Sequence, residues 1–213
     1  MTTPLLAEPL GGYLDGLVPE RDPELQAMET YANDHKFPII GPACGWLCYQ
    51  LTRMLGARQI FELGSGYGYS TAWFARAVLE NGGGTVHHVV WDEELSNRAR
   101  SHLGKLGFDG TVEYHVGEAV DAMRDASGPF DLIFNDIDKQ GYPAALPVIR
   151  EKLRPGGLMI VDNLLWQGRI FDSDDHDTTT EGVRELTRLV SRDNAWVSSI
   201  IPIRDGLLIA YKT

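Results

Sequence analysis

After residue 57 the chain alternates between short apolar segments and longer amphipathic ones, and this alternation constrains its fold more than any other feature. Amphipathic segments of helical length fill the intervals near 69–80, 93–106, 118–125 and 140–153. Such alternation predicts an α/β fold, in which a parallel sheet carries helices on both faces. The candidate strands are 58–63, 85–90, 111–116, 131–136 and 158–163.

The two ends of the chain extend this pattern. Helix-like patterns precede it at 23–35 and 42–56, and a further helix is expected over 178–192, after an acidic stretch at 171–182 that favours a solvated loop over a metal site. The closing segment, "NAWVSSIIPIRDGLLIAYK", predicts two strands joined at 204–206, because Asp-Gly suits a tight reversal. The sheet is therefore expected to have seven strands, mostly parallel, and to close with an antiparallel hairpin.

Composition limits the class of protein. A length of 213 residues favours one domain, with N-terminal helices over 1–56 and the α/β core over 57–213. No apolar run approaches the ~20 residues that cross a bilayer, and no secretory signal is visible, so a cytoplasmic protein without membrane contact is expected. The net charge of -11 disfavours nucleic acid as a partner. Cys44 and Cys48, four residues apart on a predicted helix, favour core packing over redox chemistry.

A glycine-rich loop, "FELGSGYGYST", follows the first core strand and opens a helix. Gly64, Gly66 and Gly68 let a ligand approach the backbone there, although a tight turn alone would also use them. The dinucleotide fingerprint needs a glycine where Tyr69 stands, which disfavours a dehydrogenase. Glu62, just before the loop, suits a ligand that carries an amino group rather than a phosphate.

Oxygen ligands end two of the predicted strands. Asp136 ends "DLIFND", and Asp162 with Asn163 ends "LMIVDN", so all three are expected at the carboxyl edge of the sheet. Oxygen donors without Cys or His favour Mg²⁺, Mn²⁺ or Ca²⁺. Successive strand residues point to opposite faces, so Asp162 and Asn163 can share a metal only if the backbone turns there.

Lys139 follows Asp136 by three residues and can reach back over the strand edge if a helix begins nearby. A lysine beside a divalent cation is favoured in its neutral form, which suits a general base. The alternative is a pair of surface acids, a solvated lysine and a helix cap at Asp138. Asp162 and Asn163 favour the functional interpretation.

Several ordered motifs together resemble the cation-dependent O-methyltransferases that use S-adenosylmethionine and are related to catechol and caffeoyl-CoA O-methyltransferases. "FELGSGYGYST" resembles the cofactor loop of that family, "FDLIFNDIDKQGY" its metal and base segment, and "VDNLLWQGR" its second metal segment. "IPIRDGLLIAYK" resembles its closing hairpin. The resemblance runs from about residue 38 to the C-terminus and implies a Rossmann-like class I methyltransferase fold, one catalytic domain and a homodimer.

The resemblance also implies roles for individual residues. A divalent cation, usually Mg²⁺, would be held by Asp136, Asp162 and Asn163, and Lys139 would be the base. The acceptor would contact Lys139, Asn163, Trp166 and Asp205, although Trp166 could instead pack in the core and Asp205 could serve only in the turn. The S-adenosylmethionine site would include Ile40, Glu62, Gly64, Ser65, Ser70, Asp92, Glu118, Ala119 and Asp136.

One position departs from the family pattern. Val90 stands at the end of the second strand, where the family places an acid for the cofactor ribose. Asp92 or Glu93 could replace that acid. Trp91 could stack on the adenine or pack against a neighbouring helix.

The expected reaction is methyl transfer from S-adenosylmethionine to a hydroxyl of a catechol-like or vicinal dihydroxy small molecule. A transfer-RNA hydroxyuridine O-methyltransferase is the closest alternative, and the net charge disfavours it. A non-catalytic module that binds the cofactor is another, suggested by Val90 and disfavoured by the intact Asp136, Asp162, Asn163 and Lys139.

Overall fold

The computed structural model describes residues 8–213, so residues 1–7 of the predicted N-terminal segment lie outside the described residues. The strands are β1 Gln59–Leu63, β2 Thr85–Val90, β3 Val112–Val116, β4 Phe130–Asn135, β5 Leu153–Val161, β6 Trp196–Ile201 and β7 Leu207–Lys212. They form one sheet in the order β3-β2-β1-β4-β5-β7-β6. The pairs among β1 to β5 are parallel, while β7 runs antiparallel to both β5 and β6. The predicted fold class is confirmed.

Helices connect these strands and precede the sheet. They are α1 Glu8–Gly16, α2 Pro23–His35, α3 Gly41–Leu55, α4 Tyr69–Glu80, α5 Glu93–Lys105, α6 Ala119–Asp125, α7 Tyr142–Lys152 and α8 Thr178–Arg192. Short 3₁₀ turns cover Lys139–Gly141 and Trp166–Phe171. The pattern did not predict α1, a short helix that contains Gly11 and Gly12, both weak helix formers. Among residues 8–213 no helix is both long and apolar enough to cross a bilayer.

The sheet separates two apolar cores, because alternate strand residues face opposite sides. Ile60 packs with the core beneath α2, α3 and α4, and its neighbour Phe61 packs with the core beneath α6, α7 and α8. Cys44 and Cys48 are buried in the first core, as the packing interpretation predicts. Two helical layers thus fix the strands and hold their carboxyl ends in place.

The first four predicted strands match the observed bounds to within one residue, but the fifth begins five residues early, at Leu153 rather than at 158. The "RPGG" segment therefore lies within β5. Asp131 explains this difference, since it accepts a hydrogen bond from Arg154 Nε at 2.6 Å and draws the segment to the sheet. A shift in the β4–β5 register between Phe130 and Leu132 accommodates the extra residues.

Candidate active site

A cavity of about 1460 Å³ opens at the carboxyl ends of β1, β2, β3, β4 and β5. This is the edge at which open α/β sheets bind their ligands. The structure brings all the predicted site residues except Glu62 to the cavity wall. They are Ile40, Gly64, Ser65, Ser70, Asp92, Glu118, Ala119, Asp136, Lys139, Asp162, Asn163, Trp166 and Asp205.

The glycine loop fits against the ends of two strands. Gly64 has φ +85°, and a Cβ added there would lie 2.5 Å from the carbonyl oxygen of Asp136. Ser65 fixes the other side of the loop, since its N–H donates to Val89 O at 2.9 Å and its Oγ accepts from Val89 N at 3.0 Å. The hydroxyl of Ser65 thus anchors the loop, and the loop backbone meets the cavity.

Glu62 lies behind this loop, fully buried, rather than on the cavity wall. Its Oε2 accepts a hydrogen bond from the Thr71 hydroxyl, whereas its Oε1 has no hydrogen-bond partner among residues 8–213. Burial raises the pKa of Glu62 to about 7. Glu62 therefore lies one layer behind the wall, where its backbone oxygen accepts from the Ser65 hydroxyl at 3.3 Å, and its contact with the cofactor stays a prediction.

The three predicted oxygen ligands follow two adjacent strands. Asp136 comes directly after β4, and its N–H donates to Leu63 O at 2.9 Å. Asp162 follows β5 and is 1% exposed. The next residue, Asn163, has φ +63°, so the backbone turns between them. This is the turn that lets two successive residues face one point.

Two basic side chains neutralise the carboxylates. Lys139 Nζ lies 2.7 Å from Asp136 Oδ1, and Arg204 Nη1 lies 2.8 Å from Asp162 Oδ2. The other oxygen of Asp162, Oδ1, is buried without a hydrogen-bond partner in the described part of the chain. Burial, together with the nearby charge of Asp136, raises the pKa of Asp162 to about 6. A buried carboxylate oxygen that accepts no hydrogen bond is a candidate ligand for a cation.

The amide of Asn163 is oriented by a second acid. Asn163 Nδ2 donates to Asp205 Oδ2 at 3.0 Å, and Asp205 Oδ1 accepts from Gln167 N at 2.6 Å. Because its nitrogen faces Asp205, the amide turns its oxygen the other way. Two carboxylates and an amide oxygen at one strand edge are donors of the kind that Mg²⁺ or Ca²⁺ takes, so the residues present fit the predicted metal.

Lys139 is held at the edge of the cavity. Its side chain is 11% exposed, and its ammonium lies 5.3 Å from the ring centre of Tyr142 and 5.7 Å from that of Trp166. Asp138 stands at the cap position of the 3₁₀ turn that begins at Lys139, but its side chain makes no capping hydrogen bond. The helix-cap alternative for Asp138 therefore lacks the contact it needs.

The family of the chain follows from its match to a family model described as O-methyltransferase, which covers residues 23–213. The chain belongs to the O-methyltransferase family. The predicted family and the predicted transferase class are thereby confirmed.

Individual relatives agree with this assignment. A catechol O-methyltransferase of Niastella koreensis is 27% identical over 95% of this chain and 96% of its own. The O-methyltransferase TomG of Streptomyces achromogenes, solved with S-adenosylmethionine, is 27% identical with a TM-score of 0.86, over 98% of this chain and 100% of its own. An O-methyltransferase of Bacillus cereus, solved with SAH, is 27% identical with a TM-score of 0.87, over 96% and 97%.

In this O-methyltransferase, β2 ends at Val90, where the family resemblance leads us to expect an acid. Val90 is 6% exposed, and Trp91 is 71% exposed on the cavity wall, so Trp91 does not pack into the core. Asp92 caps α5, its Oδ1 accepting from Leu95 N at 2.8 Å. Glu118 likewise caps α6 through Asp121 N at 2.7 Å. Both caps keep a carboxylate at the cavity wall.

Sequence reasoning missed Arg204, which lies on the wall of the O-methyltransferase cavity. Thr179, also on the wall, lies in the acidic stretch at 171–182. Arg204 has φ +51° in the turn before β7, and only its contact with Asp162 across 42 residues reveals its place in the site. Thr179 Oγ1 accepts from Trp166 Nε1 at 3.2 Å, so Trp166 is both packed and on the wall. The sole sequence signal for Arg204 was its position next to Asp205.

Proposed function

We propose that this enzyme transfers a methyl group from S-adenosylmethionine to a hydroxyl of a catechol-like or vicinal dihydroxy small molecule, with a divalent cation at the acceptor. The observation that carries the proposal is the pairing at the sheet edge. Lys139 Nζ lies 2.7 Å from Asp136 Oδ1, beside the buried Asp162, whose Oδ1 has no hydrogen-bond partner among residues 8–213. A basic group and cation ligands would thus meet the acceptor together.

The charge of the cavity wall supports a cationic cofactor. Six carboxylates lie on the wall, against three basic side chains, Lys139, Arg169 and Arg204. This excess of negative charge favours a sulfonium ligand and a metal ion, and it opposes a polyanion such as a transfer-RNA backbone. The acids are Asp92, Glu118, Asp136, Asp138, Asp162 and Asp205.

S-Adenosylmethionine is also the methyl donor that the neighbours indicate, because TomG was solved with it and the Bacillus cereus enzyme with SAH. Gly64, with its positive φ, keeps the loop backbone close enough to the cavity for such a ligand. Asp92 at the end of β2 is the acid on the wall that would bind the ribose. The donor supplies an electrophilic methyl group when it is bound.

Asp136, Asp162 and Asn163 would hold the cation, which we expect to be Mg²⁺ because oxygen donors favour a hard ion. When bound, the cation would stabilise negative charge on the acceptor oxygen. A catechol oxygen needs this help, since a phenol has a pKa of about 10 and is mostly protonated at neutral pH. Arg204 keeps one oxygen of Asp162 occupied at 2.8 Å, which leaves Oδ1 for the metal.

Lys139 would take the proton of the reacting hydroxyl as a neutral amine, the form that a neighbouring divalent cation favours. Its Nζ contacts Asp136 Oδ1 at 2.7 Å and Ile137 O at 3.2 Å, so its position depends on the strand end rather than on a flexible loop. The hydroxyl oxygen must also approach the methyl group in line, so positioning by the wall contributes much of the rate. Trp166 on the wall would border an aromatic acceptor.

The catechol class rests on one relative, the catechol O-methyltransferase of Niastella koreensis. The site agrees with this class, because a metal with several oxygen ligands can contact two vicinal hydroxyls while a base faces one of them. From the family resemblance we also propose a single catalytic domain, with the helices before residue 57 covering the site, and a homodimer. The location that we propose is cytoplasmic.

The test is a calorimetric titration of S-adenosylmethionine into the purified protein, followed by catechol, with Mg²⁺ and with EDTA. We expect cofactor binding in both conditions and catechol binding only with Mg²⁺. Phenol, which lacks the vicinal hydroxyl, is the matched control and should give no metal-dependent heat. Catechol heat of the same size in EDTA as in Mg²⁺, or equal metal-dependent heats for phenol and catechol, would contradict the proposed acceptor class.

A further inference from the structure

A second cluster of metal-binding side chains lies away from the cavity, on β2 and β3. The β2 segment "TVHHVV" contains adjacent histidines that point to opposite faces of the sheet. His88 faces Thr71 in the fully buried layer. His87 pairs in register with Glu113 of β3, and His115 follows Glu113 by two residues, so these three side chains share the other face.

Their donor atoms converge on one point. His87 Nδ1 lies 3.0 Å from His115 Nε2, Glu113 Oε2 lies 3.7 Å from His87 Nδ1, and Glu113 Oε1 lies 3.5 Å from His115 Nε2. Two nitrogens bound tetrahedrally to zinc at about 2.0–2.1 Å are about 3.3 Å apart. A triangle of this size therefore surrounds a position that a zinc ion can occupy.

A hydrogen bond between the two histidines accounts for only one side of this triangle. The carboxylate of Glu113 directs one oxygen at each imidazole from beyond good hydrogen-bonding distance. The three residues form the one group of at least three His, Cys, Asp or Glu donors within 4.8 Å that residues 8–213 contain. A cation would give all three donor atoms a common partner.

The imidazoles are held in position by aromatic stacking. The two rings stack at 5.2 Å with an angle of 16°, and Phe61 stacks on the ring of His87 at 5.4 Å. Phe130 meets the ring of His87 edge-on at 5.3 Å. On the outer side the Glu113 side chain is 57% exposed, which leaves room for a water as fourth ligand.

We propose that His87, His115 and Glu113 bind a zinc ion on the β2–β3 edge of the sheet, separate from the cation site at Asp136 and Asp162. Two imidazoles and one carboxylate suit zinc better than Mg²⁺, which prefers oxygen donors. The ion would join the edge strand β3 to β2. Because the three donors come together only in the folded chain, zinc would stabilise the fold rather than take part in methyl transfer.

The test uses chelator-stripped protein carrying Asp162→Ala, which removes a ligand of the other proposed cation site. Zinc is titrated in competition with a chromophoric chelator, and the thermal midpoint is measured with and without zinc. His115→Gln and Glu113→Gln are then added singly, since both side chains are partly exposed and circular dichroism can confirm that each variant folds. His176→Gln is the matched control, because His176 pairs with Glu181 at 3.4 Å without a second imidazole.

We expect one equivalent of zinc in the parent and in the His176→Gln control, with a raised thermal midpoint in both. His115→Gln and Glu113→Gln should each bind at least about tenfold more weakly, in line with the loss of a ligand. Methyl transfer with Mg²⁺ by the single variant His115→Gln should match the unmodified enzyme. Equal zinc affinity in the parent and in His115→Gln, or no binding by the parent at micromolar zinc, would overturn the proposal.

Discussion

Replacing Gly64 by alanine tests how closely the glycine loop must approach the carboxyl end of β4 at Asp136. The added Cβ would lie 2.5 Å from Asp136 O, and ordinary contact begins near 3.4 Å, so the loop and the end of β4 must separate by about 0.9 Å. A misplacement of about 1 Å can lower the rate of a positioned reaction about a hundredfold. The change also places alanine at φ +85°, which costs roughly 1–2 kcal/mol.

Gly82→Ala is the matched control, because Gly82 has φ +95° and a Cβ there meets nothing within 4 Å. Both variants should lose free energy of unfolding from backbone strain, measured by urea titration, and Gly64→Ala should lose more because of its clash with Asp136. Only Gly64→Ala should lose about a hundredfold in kcat/KM for methyl transfer, because only there does Asp136 move. Equal kcat/KM in the two variants would refute the inference that this close contact positions the site.

Three further predictions concern single side chains. Lys139→Met should lower kcat by about 10² to 10⁴ while the Kd for S-adenosylmethionine, measured by calorimetry, stays within about twofold; unchanged kcat would remove Lys139 as the base. The pKa of Glu62 is about 7 against an ordinary 4.5, so its contribution to stability is full below pH 4.5 and is lost as the pH rises through 7, by about 3 kcal/mol. Glu62→Gln should remove this loss, and urea unfolding at pH 5 and pH 8 would show it; an identical pH dependence in both proteins would contradict it. Asp131→Ala should cost about 1–2 kcal/mol, because Asp131 accepts from two backbone N–H groups before and at the start of β1 and from Arg154. The surface control Asp121→Ala should cost under about 1 kcal/mol by the same urea titration, and equal losses would refute the role of Asp131.

The order of strands and helices could be predicted because it depends on local periodicity. Apolar segments of strand length recur between amphipathic ones, and β2 and β4 follow their predicted bounds to within one residue. Helix α1 and the early start of β5 at Leu153 could not be predicted in this way. Two glycines weaken the local signal of α1, and β5 is extended by Asp131, a contact between residues distant in the sequence.

The residues of the candidate site also divide into those that the sequence pattern could place and those that it could not. Asp136, Asp162 and Asn163 could be placed together, because parallel strands end at one edge of a sheet and each residue follows such a strand. Arg204 could not be placed, since the predicted hairpin turn shows where the chain reverses but not that the Arg204 side chain reaches Asp162. The burial of Glu62 was also hidden, because the sequence shows that an acid precedes the glycine loop but not that the folded chain covers this acid.

The most direct test of the central claim is methyl transfer to catechol, followed by mass spectrometry, for the natural enzyme and Asp162→Ala with and without Mg²⁺. The proposed site predicts a methylated product that requires Mg²⁺ in the natural enzyme and no response to Mg²⁺ in the variant, because Asp162 supplies the buried oxygen without a donor among residues 8–213. Full activity of the natural enzyme in EDTA, or an unchanged Mg²⁺ response in Asp162→Ala, would contradict it.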